Sequence, residues 1–393
     1  MQICPESEYL ESAMNLFLLT FFVVYGSIHL YAFLRIRHGL NLQAGAALAL
    51  LAFMLVLIFA PLIIRMLEEK EFENSAIVLS HVGYVWMGLL FLFFILSILF
   101  DFHRLTVSVA GWLFSRDLGY LLPSARQLLW GPLILAALIF IYSYYGAMNV
   151  RTESVCIHSD KIPARIGSLR IVQVSDVHIG LMIRESRLRK ILQQIKNAQP
   201  DIVVCTGDLL DGQTDRIGSM IKFLHEIRPK YGKFAIMGNH EYYSGYGKAH
   251  LFLKEAGFTL LRGEGVEVAG FLNLIGFDDP AAYSYGVFKD FSEDYLKENW
   301  PKKGFTIFLR HRPIYENNPG HFDLQLSGHT HCGQIFPFHI IIKMIFPKYG
   351  GLYSLPGNSY LYVNRGAGTW GPPIRFIAPP EITIIDLVSK EAI

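Results

Sequence analysis

Four stretches of the chain carry no Asp, Glu, Lys or Arg: Met14–Leu34, Leu42–Ile64, Ser75–Phe100 and Gln127–Val150, each more than 20 residues long. At 1.5 Å rise per residue, about 20 helical residues cross a hydrocarbon core of roughly 30 Å. None of the four has a polar face with which to lie on a soluble protein. The pattern predicts a transmembrane domain over residues 1–150 with four helices, at about 14–34, 42–64, 75–100 and 127–150. Glu6, Glu8 and Glu11 stand where a secretory signal carries basic residues, so the first helix is expected to stay in the membrane.

From Arg151 onward the pattern changes. Short apolar runs at Arg170–Ser175, Asp201–Thr206 and Lys233–Met237 predict strands, and helical periodicity over Glu185–Ala198 and Arg216–Ile227 predicts helices between them. Such alternation reads as α/β. Later runs, at Val266–Ala269, Leu272–Phe277, Phe305–Leu309, Leu324–Ser327, Tyr360–Asn364 and Ile382–Leu387, have less helix between them and predict a second sheet with more antiparallel pairing. Residues 151–393 are therefore expected to form a separate domain.

Composition supports this division. Of 393 residues, 52% are hydrophobic and 17% charged, and the mean hydropathy is +0.33. Disorder is excluded, because so much apolar surface can be buried. Residues 1–150 hold 7 of the 35 Lys+Arg and 9 of the 33 Asp+Glu, and the rest lie in the second part. A net charge of +2 gives no basis for a nucleic-acid groove. Four scattered cysteines form neither a zinc pattern nor a disulfide framework. Arg35, Arg37, Arg104, Arg116 and Arg126 lie in the first and third loops, whereas the second has Arg65 and Lys70 among four glutamates. That bias places the first and third loops in the cytoplasm and the C-terminal domain outside the cell membrane. His29 and His81, inside predicted spans, read as hydrogen-bonded packing residues.

The candidate chemistry gathers where the predicted strands end. Ser175-Asp176-Val177-His178 follows the first strand, Thr206-Gly207-Asp208 the second and Gly238-Asn239-His240-Glu241 the third. Leu309-Arg310-His311-Arg312-Pro313 and Ser327-Gly328-His329-Thr330-His331 follow later ones. In extended backbone, positions two apart point the same way, so Asp176 with His178, and His329 with His331, can each aim two ligands at one volume. Loops beyond the carboxyl ends of strands are where such groups converge in α/β folds.

This ordered set of motifs, D-x-H, G-D, G-N-H-E, H and G-H-T-H over residues 176–331, resembles the calcineurin-like metallophosphoesterase family. Ile171–Gly180, Gly207–Gly212, Gly238–Tyr243, Gly328–Gln334 and Arg365–Phe376 resemble its membrane-associated branch, the YkuE-like and transmembrane metallophosphoesterase-domain proteins. The resemblance implies a two-sheet β-sandwich flanked by helices, and a hydrolase with two divalent metal ions. It assigns Asp176, His178 and His331 to one metal, Asn239, His311 and His329 to the other, Asp208 to both, and His240 to the leaving oxygen. Mixed imidazole and carboxylate ligands suit Mn, Fe or Zn. Two such metals share and acidify a water that attacks phosphorus.

Arg310 and Arg312 flank His311, and either could meet a substrate phosphate. The alternative is solvated surface charge. Cys332 stands where the family usually has glycine, and reads as a small filler or as an extra soft ligand. Asp211 and Glu241 read as supporting or capping groups. The segment Ile335–Tyr349 mixes Phe and Ile with two prolines, Lys343 and Lys348, and suits a membrane-facing lip beside the site better than a core strand and loop.

Together these features predict a membrane-bound phosphoesterase for a diester, pyrophosphate or monoester in a lipid or lipid-linked substrate. One alternative is a cytoplasm-facing enzyme similar to UDP-2,3-diacylglucosamine pyrophosphatases. Another is a membrane receptor or transporter with a regulatory phosphoesterase-like module.

Overall fold

The structure is a computed structural model that describes residues 5–212, 218–287, 303–315 and 322–392. It contains two compact units, Met1–Tyr145 with Gly371–Ile374, and Gly146–Trp370 with Arg375–Ile393.

The first unit is helical: α1 (Pro5–Gly39), α2 (Ala44–Ile58), α3 (Ala60–Glu69), α4 (Glu73–Leu113) and α5 (Ala125–Met148). Among the described residues, three helical segments are by themselves long and apolar enough to cross a membrane: Leu18–Gly39, Glu73–Leu113 and Gly119–Met148. The fourth predicted span, 42–64, is not one straight helix. It is broken into α2 and α3, which meet at 52°, so a fourth crossing exists only if the bent pair is one span. The cause is Pro61 in the first turn of α3. Its ring takes away a backbone N–H and clashes with the carbonyl four residues earlier, which stops α2 just before it.

Helix boundaries inferred from charge were also short. α4 continues through Asp101 to Leu113, because a charge marks the edge of the hydrocarbon and not the end of a helix. Arg35 Nη2 donates to Asp101 Oδ2 at 2.6 Å, tying α1 to α4. His29 is held as expected of a packing residue: Trp86 Nε1 donates to its Nε2 at 2.9 Å, and its Nδ1 lies 2.8 Å from the Tyr25 carbonyl.

The second unit opens with β1 (Arg151–Ser159) and β2 (Ser168–Val174), then α6 (Glu185–Asn197), β3 (Ile202–Thr206), α7 (Gly218–His225) and β4 (Lys233–Ile236). The predicted helix Arg216–Ile227 begins outside the described residues. Next come α8 (Asn239–Tyr243), α9 (Tyr246–Glu255), β5 (Thr259–Leu260), β6 (Glu264–Val268), β7 (Leu272–Gly276) and α10 (Ala281–Ser284). The chain ends with β8 (Phe305–Leu309), β9 (Leu324–Ser327), α11 (Phe338–Ile345), β10 (Gly351–Leu355), β11 (Ser359–Val363) and β12 (Glu381–Ser389).

The strands form two six-stranded sheets, β1-β12-β2-β3-β4-β5 and β10-β11-β9-β8-β7-β6. Alternate residues of β2 and β3 face opposite ways and both faces are covered. Val172, Val174, Val203 and Cys205 pack with α6, α7 and α9, while Leu169, Ile171, Ile202 and Val204 meet Leu272, Leu274, Ile307 and Leu324 of the other sheet. Burial on both faces is why these strands read as near-continuous apolar runs. The second sheet has more antiparallel pairing than the first, but only at its edges, β10·β11 and β6·β7; its centre, β11·β9, β9·β8 and β8·β7, is parallel. That parallel centre places the carboxyl ends of β8 and β9 at one edge of their sheet, as β2, β3 and β4 do in theirs.

Candidate metal centre

Every predicted ligand follows the carboxyl end of one of these five strands. Asp176 and His178 follow β2, Asp208 follows β3, Asn239 and His240 follow β4, His311 follows β8, and His329 and His331 follow β9. The chain must turn sharply to aim them inward. Asp176, His178, Asp208, His329 and His331 all have φ between 48° and 71°, in the left-handed region that non-glycine residues rarely occupy. Strain of that kind persists only where the surroundings enforce it. Gly238 lets two of these turns touch, since a Cβ there would lie 2.2 Å from Asp208 Oδ1.

The side chains form overlapping clusters. One atom each from Asp176, His178 and His331 lies within 4.8 Å of the others; so do atoms of Asp208, His311 and His329, and of His178, Asp208 and His240. Asn239 Oδ1 joins the second group, 3.2 Å from His311 Nε2. Asp208 belongs to two of the clusters and stands between them, its Oδ2 3.1 Å from His311 Nε2.

The donor set fits a pair of divalent cations. His311 Nδ1 donates to the Thr206 carbonyl at 2.8 Å, which aims Nε2 at Asp208; burial favours the neutral ring, but the charge of Asp208 and its hydrogen bond outweigh this and raise His311 to about 10. His178 Nε2 and His331 Nε2 approach to 3.0 Å, and His329 Nδ1 lies 3.2 Å from His311 Nε2. Burial, with help from the His240 charge, lowers His178 to about 4. Burial, with neighbouring positive charge, holds His329 and His331 well below the usual imidazole range. The rings of His178, His329 and His331 are therefore neutral at pH 7. Asp208 is held well below the ordinary carboxylate range: burial opposes ionisation, and His311 and His240 override it. Unshared pairs packed this closely, with carboxylates between them, are what a cation resolves.

His240, like His311, is held charged. Its burial favours the neutral ring, but Asp208 and Asp211 outweigh this and raise it to about 9. Its Nδ1 donates to Asp211 Oδ1 at 2.9 Å, so a protonated imidazole is held at the centre's edge. Asp211, expected only as a supporting group, is thus the partner that orients and charges His240. The spacing Gly207-Asp208-x-x-Asp211 was its signal in the sequence. Glu241 is wholly buried and accepts from the backbone N–H groups of Gly238, Asp208 and Leu210 at 2.8, 2.9 and 3.0 Å. It pins two of the strand-end loops to each other.

Arg310 and Arg312 have protein partners. Arg312 is bound by Asp279 through Nε and Nη2 at 2.8 and 3.0 Å. Arg310 donates to the Ile314 carbonyl at 3.2 Å and lies over the Phe277 ring. Cys332 is half-buried and its thiol is pushed up by burial, so it carries no thiolate at neutral pH. Residues beyond the motifs also shape the centre. Arg375 is buried, donates to the carbonyls of Gly368, Arg365 and His331, and sits 2.9 Å from His331 Nδ1. Trp370 and Tyr243 are exposed aromatics with ring centroids 6.0 and 5.5 Å from His240. Nothing in local sequence links Trp370 to His240, 130 positions earlier; Trp370 is held to the loop after β9 by the mutual hydrogen bonding of Gln334 with its backbone, at 2.9 Å each way.

Residues 169–333 match the family profile described as calcineurin-like phosphoesterase. A metallophosphoesterase of Aquifex aeolicus (strain VF5) is 37% identical over 262 residues, 66% of this chain and 99% of that protein. A transmembrane protein with metallophosphoesterase domain from Danio rerio is 30% identical over 282 residues, 66% of this chain and 62% of that protein. The metallophosphoesterase YkuE of Bacillus subtilis (strain 168) is 33% identical over 268 residues, 63% of this chain and 88% of that protein.

Proposed function

The chain belongs to the calcineurin-like metallophosphoesterase family of hydrolases, and from that premise we propose that it is a membrane-bound, two-metal phosphoesterase acting on a lipid or lipid-linked phosphate. The observation that carries the hydrolytic part is the convergence of seven ligand-type side chains, ordered along five strand ends, on overlapping clusters: Asp176, His178 and His331 in one, Asp208, His311 and His329 with Asn239 in another, with His178 and Asp208 together in a third. In this reading Asp176, His178 and His331 hold one divalent cation, Asn239, His311 and His329 the other, and Asp208 both. Mn, Fe or Zn suits that mixture of nitrogen and oxygen. When bound, such a pair polarises the phosphoryl oxygens and lowers the pKa of water.

The chain's own groups do the rest. Asp211 keeps His240 protonated and turned toward the cluster, ready to give its Nε2 proton to the departing oxygen. Arg310 and Arg312 oppose the phosphate charge, Arg312 braced by Asp279. Trp370 and Tyr243 offer apolar faces beside His240, where a leaving group departs. A diester or pyrophosphate uses all of these contacts.

Asp211→Asn should lower kcat on the order of 10- to 100-fold, the usual cost of removing an orienting partner. The sign of its pH effect follows from the charge. Asp211 raises the pKa of His240, so its removal lowers that pKa, and a general acid is then lost at lower pH. The alkaline limb of kcat should move toward neutral pH. An unmoved limb would mean that another group donates the proton.

The apolar helices and the transmembrane relatives mark a membrane protein. We place its catalytic unit outside the cytoplasm, with α2 and α3 counted as one crossing. Labelling single cysteines in the loops around Arg37 and Arg116 in sealed vesicles tests this, and labelling from outside would reverse it toward the cytoplasm-facing alternative. The hydrolytic proposal is tested by stripping metal from the purified full chain and restoring Mn, Zn or Mg singly. Lipid-linked and soluble phosphoesters are run side by side. Metal-dependent turnover preferring the lipid supports the proposal in full; brisk turnover of soluble nucleotides alone removes the lipid part. No turnover with any metal would favour a docking module.

A further inference from the structure

From Leu324 to Pro380 the chain has no Asp or Glu, while it has Lys343, Lys348, Arg365 and Arg375. Within this stretch lies α11, none of whose eight residues is buried. Phe338, Ile341, Met344 and Ile345 recur at the spacing of one helix face, and all four are exposed, Met344 to 79%. Phe336 and Ile377 extend the same apolar surface, held together by the bridge between Ile335 and Phe376. A contiguous exposed apolar surface on a folded unit marks a place of association. α11 also adjoins the candidate centre: the Phe346 ring, one residue past its end, lies 5.5 Å from the ring of His329.

We propose that α11 is an interfacial helix, and that its apolar face seats in the head-group layer of an anionic lipid bilayer beside the active site. The charge selects this occupant. A second copy would oppose the same acid-free, lysine-bearing face and repel it, whereas anionic lipid complements it. The chain carries its own helices long enough to cross a membrane, so a bilayer is always within reach of the tether. A helix of this composition lies in the plane of the interface, with its lysines at the head groups. Placed there, the centre beside Phe346 receives phosphate groups at the depth where lipid head groups lie. The inference takes from the proposed function only that the site accepts a lipid-borne phosphate.

The test is a depth measurement on the full chain in nanodiscs. Met344→Cys is labelled with an environment-sensitive fluorophore in a Cys4→Ser, Cys156→Ser background, and the unsubstituted background supplies the baseline. Lys254→Cys, at an exposed position of α9, serves as the control site. Discs contain phosphatidylcholine with or without phosphatidylglycerol, and doxyl-labelled lipid is the quencher. The Met344 label should be blue-shifted and quenched at least about twofold more than the Lys254 label, as expected of an inserted apolar face. The excess should be larger with phosphatidylglycerol and should shrink in Lys343→Glu, Lys348→Glu. Equal quenching at the two sites would overturn the proposal. A blue shift that depends on protein concentration and ignores the quencher would also overturn it, in favour of a second copy. Because the readout is depth, its failure leaves the hydrolytic proposal standing, and absent turnover leaves the depth result intact.

Discussion

Asp208→Ala is expected to abolish metal-dependent turnover, with kcat falling on the order of 10³-fold or more, the upper end of what removal of one preorganised electrostatic group costs. The size follows from position. Asp208 is the carboxylate common to two clusters, and its neighbours His311 and His240 keep it ionised despite burial. An uncharged methyl there would leave the clusters that share Asp208 short of a negative donor for any cation they hold. The loss should also appear without any substrate. A metal at a hundredfold excess over its Kd stabilises the fold that holds it by about 2.7 kcal/mol, so adding Mn or Zn to the stripped parent should raise its melting temperature. The same addition to Asp208→Ala should give a much smaller rise. Full retention of turnover, or an undiminished metal-induced rise, would remove Asp208 from the shared position.

Glu241→Ala is expected to cost the fold about 3 kcal/mol or more, because each of three buried backbone donors left without its acceptor costs about 1–3 kcal/mol. The three are the N–H groups of Gly238, Asp208 and Leu210. Against a total stability of about 5–15 kcal/mol, that is a large fraction. Burial and the adjacent Asp208 charge raise the carboxyl of Glu241 to about 7, so the residue is retained against an electrostatic cost. Glu241→Gln keeps one oxygen and should recover part of the loss. Thermal melts of the metal-free variants decide the matter, and an alanine variant within 1 kcal/mol of the parent would refute the pinning role.

Both residues were visible in the sequence, but to different degrees. Asp208 stood out because a carboxylate after glycine at a strand end, in series with other metal-ligand types, has a chemical meaning by itself. Glu241 was legible only as a supporting group, since its three donors come from two loops about 30 positions apart. The strands most clearly read were those buried on both faces. β1 and β10 were not among them: they are edge strands with one open side, and their polar alternation, as in Arg151–Ser159, carries little apolar signal. The segment Ile335–Tyr349 was recognised by composition, but its form, a short helix at Phe338–Ile345, came from the structure.

What the sequence determined alone were properties of single residues and short spacings: apolar runs long enough for a bilayer, the β–α rhythm of residues 151–393, and the order of ligand types at strand ends. What only the tertiary structure decided were pairings across distance. It set Asp211 against His240, turned Nε2 of His311 toward Asp208 through the Thr206 carbonyl, ran Arg375 beneath His331, and laid β1 parallel to β12 some 230 positions away. The physical reason is that hydrophobicity and ligand chemistry belong to a side chain wherever it sits. The partner of a buried donor or charge exists only once the chain has closed around it.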